Sequence, residues 1–427
     1  MGALSTISSS FLSALLLVCL VCSFNSEGAA AIQHRHTIHV SSLLPSSICQ
    51  SSAQELDKKS SLRVVHKHGP CSELHQDKAN IPTHAEILLQ DEARVKSIHS
   101  KFANKGSIND IDQNDAANLP AKDGSVVGSG NYIVSVGLGT PKKDLNLIFD
   151  TGRNSPGCSS SACVYGIQYG DSSFSVGFFA KDTLSLTSTD LFPDFLFGCG
   201  QNNQGLFGGA AGLLGLGRDK LSLPSQTAAK YYKYFSYCLP SSASSTGFLS
   251  FGYGGGVSKT VKFTPLSTIS QGTSFYGIDI TGVTVGGQKL PISASVFSAG
   301  GAIIDSGTVI TRLPPTAYDA LKTAFRKQMS QYPMAQPLSI LDTCYDFSRY
   351  STVTIPKISF FLSGSVVVPI DAKGIFYVNS ISQVCLAFAP NGDDTDVGIF
   401  GNTQQKTLQV VYDGAKGRLG FASGGCS

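Results

Sequence analysis

From about residue 119 to the end of the chain, apolar and polar residues alternate in short runs divided by glycine, as in NYIVSVGLGT, GFFAKDTLSLT, FYGIDITGVTVGG and TLQVVYDGAKGRLGF. A period of two, rich in β-branched and aromatic side chains and bounded by Gly, predicts strands and hairpins. Only Leu223–Phe235 and Thr316–Tyr332 combine helical period with helical length in this region, the second entered through Pro314-Pro315. The body is therefore expected to be mainly β. Ahead of it, residues 31 to about 118 are polar and charged, with apolar residues at helical spacing near His84–Lys101 (HAEILLQDEARVKSIHSK).

A weak internal repeat runs through the β region. LNLIFDTG at 145–152 and GGAIIDSG at 300–307 are each an apolar strand ending in Asp-Thr/Ser-Gly. Each is followed by an apolar-apolar-Gly element, AGLLGLGR at 211–218 and VGIFGN at 397–402. Two copies of one β unit predict a two-lobed molecule. The chain's 427 residues exceed one ordinary domain, and 42% hydrophobic with 14% charged residues describes a packed protein.

The apolar run Phe11 to Phe24, followed by Gly28 and three alanines, reads as a signal-peptide core and cleavage region. It is too short to span a membrane comfortably, and no second hydrophobic segment follows. The run of Ser and the lack of Lys or Arg before it leave a plastid transit peptide as the alternative. A secreted product, in the apoplast or vacuole, is expected, with the chloroplast as that alternative; no membrane partner is expected. A net charge of +3 without a basic block gives no footprint for nucleic acid.

All eight histidines and every glutamate lie before residue 100. The body must work without either, which excludes Ser-His and Cys-His nucleophilic catalysis and His-dependent metal sites there. No metal and no cofactor are expected. Aspartate is the one acid or base left that titrates near mildly acidic pH. Of eleven cysteines, Cys19 and Cys22 fall in the signal region, Cys49 and Cys71 in the next segment, and seven in the body. An odd number leaves at least one thiol free or paired outside the body.

A D-[ST]-G tripeptide arises by chance about once per couple of thousand residues of average composition; here two occur, each closing an apolar strand. Two carboxylates sharing one proton can hydrolyse a peptide bond without a covalent intermediate: one takes the proton of water while the other protonates the carbonyl oxygen. Such a pair titrates as a unit and favours an acidic working range. The following glycines permit close backbone approach, and the Thr151 and Ser306 hydroxyls can hydrogen-bond across the junction to hold the two loops together.

On these motifs, with HGPCS at 68–72, YGD, FGCG, LLGLGR and DSGTVITRLPP, the chain resembles the pepsin-like aspartic proteases, in particular their nepenthesin-type plant branch. The resemblance implies a bilobal, mainly β fold with a central cleft. It makes Asp150 and Asp305 the catalytic pair and Thr151, Gly152, Ser306, Gly307 and Thr308 their supporting loops, with Gly307 and Thr308 aligning the substrate backbone. Tyr169 becomes the flap tyrosine, although on its own it reads rather as a strand tyrosine on a sheet face. Cys344 and Cys385 match the family's C-terminal-lobe disulfide. Cys238 and Cys426, from their places in the chain, are candidates to tie the N-terminal lobe to the C-terminus; the partners of Cys158, Cys163 and Cys199 stay open.

The implied organisation is a signal peptide at 1–30, a pro-segment at 31–118, an N-terminal lobe at 119–240 truncated after Gly152, and a C-terminal lobe at 241–427. The bland alternative for the pro-segment is a flexible extension without a role. In relatives, tens of residues separate DTG from the flap; here Tyr169 follows within twenty, and the chain has no Trp. The N-terminal lobe is therefore expected to be incomplete. Arg153 stands where the family has a small hydroxyl residue, and a cation there opposes proton sharing. The implied activity is that of a monomeric acid endopeptidase made as a zymogen, whose partners are its own pro-segment and protein or peptide substrates. The alternative is a catalytically inactive homologue acting as a binding or inhibitor protein.

Overall fold

The computed structural model describes residues 34–50, 60–76, 81–103, 132–151, 157–159, 162–168, 174–204, 209–254, 256–270 and 274–426. The signal peptide, Gly152, Arg153 and the flap residue Tyr169 lie outside the described residues. What is described is mainly β, built around one large sheet that runs between two lobes.

The N-terminal segment is woven into both lobes. Strand β1 (Arg35–His39) pairs antiparallel with Thr352–Pro356 on the C-terminal side. Strand β2 (Ser61–His66) lies in the 13-stranded sheet, between Thr246–Phe251 and strand β3 (Tyr132–Leu138). A disulfide joins Cys49, before β2, to Cys71, after it. Helix α1 (His84–Ala103) follows. Its start is a capping box: the Thr83 N–H donates to Glu86 Oε2 at 2.7 Å, and the Glu86 N–H returns to Thr83 Oγ1 at 3.3 Å. Ile87, Leu88, Val95 and Ile98 recur at helical spacing and are buried, the first two against Val309 and Ile310, the last two against Phe275, Ile303 and Ile399.

Past β2, the sheet continues through β3 to strand β4 (Lys143–Asp150) and to Phe174–Ser185. In the other direction it runs through Thr246–Phe251 and Tyr234–Cys238 to Gln409–Asp413 and Arg418–Ala422. Strands from both proposed lobes thus share one hydrogen-bonded surface, and β2 is the link between its halves. Phe235, Tyr237, Tyr276 and Tyr412 are buried at its centre, with Phe235 and Tyr412 stacked at 4.4 Å. The disulfide Cys238–Cys426 ties this region to the C-terminus. Cys344 and Cys385 sit opposite one another on neighbouring strands and are bonded. Cys199 is free and exposed.

Both expected helices of the body differ in extent. Leu223–Phe235 is instead two single turns, Leu223–Gln226 and Ala228–Tyr231, because Tyr232 and Lys233 adopt left-handed backbone and Tyr234–Cys238 joins the central sheet. Burial of Phe235 and Tyr237 in that sheet outweighs local helical preference. The second helix is Pro315–Gln328, with a proline in its first turn, where the missing N–H has no intrahelical partner to lose.

The two lobes differ in how well they are covered. C-terminal strands such as Ile358–Leu362 alternate toward a dense core, with Phe360 fully buried. In the N-terminal lobe the strand Leu191–Gln204 is largely exposed, and a cavity of about 490 Å³ opens among Leu138, Leu147, Phe179, Leu184, Leu214 and Leu223. Apolar walls without a cover are what loss of neighbouring strands leaves behind. Phe360→Ala should therefore cost about 3–5 kcal/mol, whereas Phe178→Ala, at a half-exposed position, should change stability by less than about 0.5 kcal/mol; shifts of the denaturant midpoint of the two variants measure the contrast.

Candidate active site

β4 ends at Asp150 and runs parallel to Gly212–Gly215, with Asp150 opposite Gly215 and the Leu216 N–H donating to the Asp150 carbonyl oxygen at 2.8 Å. The second copy is built alike. Ala302–Ile304 runs parallel to Gly398–Phe400, and the Asp305 N–H donates to the Phe400 carbonyl oxygen at 3.2 Å. The repeat in the sequence is thus one construction made twice: a strand delivers Asp, and an apolar-Gly strand behind it fixes where the loop begins.

The loops grip each other. The Thr151 N–H donates to Ser306 Oγ at 3.3 Å, and the Ser306 N–H donates to Thr151 Oγ1 at 3.1 Å. All four groups are buried, so each bond satisfies a donor that has no water to turn to. Beneath, Gln405 Nε2 donates to the Asp305 and Phe400 carbonyl oxygens, while Tyr237 Oη donates to Gln405 Oε1. Thr308 Oγ1 and the Gly307 N–H both donate to the Asp305 carboxylate, at 2.6 and 3.2 Å.

Into this arrangement α1 inserts a cation. Arg94 Nη2 lies 2.8 Å from Asp150 Oδ1 and 3.1 Å from Asp305 Oδ1, and Arg94 Nε donates to Asp305 Oδ2 at 3.0 Å. Gly307 is the residue that leaves room: a Cβ there would stand 2.3 Å from Arg94 Nη2 and 2.9 Å from Asp150 Oδ1. Burial pushes the Asp305 carboxyl above the ordinary range; Arg94 pulls it down and Asp150 pushes it up. Burial alone would lower the Arg94 guanidinium, but Asp150 and Asp305 hold it well above its usual value.

One turn before Arg94, Asp91 accepts from the Val309 N–H at 2.5 Å and the Ile310 N–H at 3.1 Å, and lies 3.1 Å from Arg312 Nη2. Both side chains are fully buried. Burial raises the Asp91 carboxyl, against the pull of Arg312 and the two backbone donors.

The structure brings Asp150, Thr151, Asp305, Ser306, Gly307 and Thr308 together at one place. Arg312, inside DSGTVITRLPP, was given no role by the motif-based reading, and Arg94 and Asp91 escaped it. Their signal lay in the helical pattern itself: Asp91 and Arg94 fall on the same face as Ile87, Leu88, Val95 and Ile98, and a charge on a buried face needs a partner.

Comparison with known proteins gives one answer. Residues 153–253 match the family described as Xylanase inhibitor N-terminal, and residues 275–423 match Xylanase inhibitor C-terminal. An aspartyl protease family protein of Arabidopsis thaliana is 55% identical, over 97% of this chain and 98% of its own length. Its alignment runs over 463 positions against the 427 residues here, so roughly 50 positions of the relative face no residue of this chain. Aspartyl protease AED1, also from Arabidopsis thaliana, is 47% identical over 97% of this chain and 99% of its own length. Among solved structures, edgp superposes with a TM-score of 0.58 at 24% identity, covering 71% of this chain and 93% of that one, which speaks for the fold alone. The paired Asp loops, the sheet between the lobes and these similarities agree: the chain belongs to the plant pepsin-like aspartic protease family.

Proposed function

We propose that this chain is an aspartic endopeptidase made as a secreted zymogen, hydrolysing peptide bonds at acidic pH with a water activated between Asp150 and Asp305. The observation that carries this reading is the convergence of both carboxylates on one nitrogen, Arg94 Nη2. Two carboxylates close enough to share one donor are close enough to share one water and one proton. In the opened cleft, one takes the water's proton and the other, protonated, donates to the substrate carbonyl oxygen. The Thr151–Ser306 grip fixes their separation, and Thr308 with the Gly307 N–H orients Asp305.

The 31–118 segment serves as the inhibitor in this proposal. Arg94 neutralises the dyad and fills the place of water and substrate. Release follows from linkage. Arg94 lowers Asp305 relative to a cleft without it, so the contact is strong where the dyad is ionised and is lost as pH falls and the dyad takes up a proton. Asp91 works in the other direction, since burial raises it and protonation does not eject it.

His66 of β2 adds to the release. Burial lowers it from 6.5 to about 3, with His68, Lys406, Lys67 and His84 adding repulsion, and its Nδ1 accepts from the His68 N–H. A freed ring protonates below about 6.5 while the buried one refuses the proton, so docking of β2 weakens as pH drops from about 6.5 toward 3. Charging thus loosens this histidine, whereas an exposed histidine near carboxylates would tighten.

Three disulfides among the described residues support an oxidising, secreted setting, the apoplast or vacuole, with the chloroplast as the alternative reading of the N-terminus. One observation favours a second reading, an inactive homologue that binds or inhibits proteins: the uncovered cavity of the N-terminal lobe, where substrate walls would otherwise stand.

Acid-treated full-length protein should digest an unfolded substrate at pH 3–6, inhibited by pepstatin and lost in Asp305→Asn; folded protein that cleaves nothing would favour the second reading. Arg94→Met, which leaves the carboxylates facing each other unpaired, should weaken docking of α1 by about 3–5 kcal/mol at pH 7 and far less at pH 4, read from amide exchange of residues 84–103. His66→Asn keeps an acceptor for the His68 N–H but does not titrate, and should move the midpoint of acid release to lower pH in a series of activation assays.

A further inference from the structure

The pocket that holds Asp91 is built almost wholly from the protease body. Its floor is the segment 309–312, beginning four residues after Asp305: the N–H groups of Val309 and Ile310, and the Arg312 guanidinium. Arg312 is 1% exposed. Its Nη1 donates to the Ile310 carbonyl oxygen at 2.9 Å, which locks the fork against the same segment. Its Nη2 meets Asp91 and Glu92, and its Nε has no hydrogen-bond partner among the described residues. Only the anions come from α1.

Departure of α1 would strip both anions from a buried guanidinium and uncover two aligned backbone donors at once. A buried cation without a counter-charge is unfavourable by several kcal/mol, while two N–H groups and a guanidinium aimed at one point match a carboxylate. We propose that the Asp91 pocket is a carboxylate-binding subsite of the opened cleft, taking the Asp or Glu side chain of a peptide substrate a few residues from the bond held at the dyad. This rests on the reading that peptide replaces α1. Asp91 and Arg94 are three residues apart, a rise of about 4.5 Å on a helix, which an extended peptide at about 3.3 Å per residue covers in one or two steps, with side-chain reach adding another. α1 thus presents a cation to the dyad and an anion to the pocket; a substrate need reproduce only the anion.

The test offers acid-treated full-length protein a peptide series in which one Glu is walked through three positions on either side of the cleaved bond, each beside its Gln counterpart, at about pH 5, where Glu is mostly ionised. At one position, on one side only, Glu should be favoured over Gln about tenfold or more in kcat/KM. The preference should disappear in Arg312→Gln. Equal rates at every position overturn the proposal, and this comparison needs no variant, so poor folding of Arg312→Gln does not rescue it. If neither peptide is cut, fluorescently labelled copies are titrated onto the same protein. Tighter binding of the Glu peptide, competed by a synthetic 84–103 peptide but not by its Asp91→Asn form, keeps the subsite while sinking the protease reading; equal binding sinks the subsite.

Discussion

The contact on which the architecture turns is a three-charge cluster: one guanidinium between two carboxylates that neither lobe could tolerate facing each other unprotonated. Like charges a few ångströms apart in a low dielectric repel strongly. Asp305 is fully buried and Asp150 nearly so, so at neutral pH the cleft needs either a shared proton or a counter-ion. The chain supplies Arg94. Much of the rest can be understood as what holds this cation in register: the capping box that starts α1, the apolar stripe that seats it, and the Asp91–Arg312 pair one turn away that fixes its rotation.

The sequence disclosed the repeated parts well and the joined parts poorly. Asp150 and Asp305 stood out because each closes an apolar strand in the same tripeptide, a local pattern that needs no knowledge of the fold. The mainly β body and α1 were legible for the same reason, since periodicity is local. Tyr234 and Phe235 were misread as the end of a helix, because what decides their conformation is a strand made by Gln409–Asp413, far along the chain. Arg94 and Asp91 carried no motif, and Arg312 stood within DSGTVITRLPP without a role assigned to it. Their meaning is the meeting of two segments more than 200 residues apart, and only the oddity of Asp91 and Arg94 on an apolar helix face hinted at it.

Among the described residues, the N-terminal lobe is less densely covered than the C-terminal one. The reciprocal Thr151–Ser306 bonds, the strand behind Asp150 and the central sheet are all in place. Among the described residues, an apolar wall beside Phe179 and Leu214 lines a cavity in this lobe. The strands that carry the carboxylates belong to the central sheet and the C-terminal lobe, while this cavity lies among the N-terminal strands.

β2 gives the molecule a built-in order of events. It is hydrogen-bonded on one edge to Thr246–Ser250 and on the other to Ile133 and Tyr132, so among the described residues it is the strand that joins the two halves of the central sheet. A body made without residues 61–66 would have two raw sheet edges and no template to align them. On the zymogen reading proposed above, the segment would therefore template the sheet as well as cover the dyad, and its removal would reopen the seam that β2 closes.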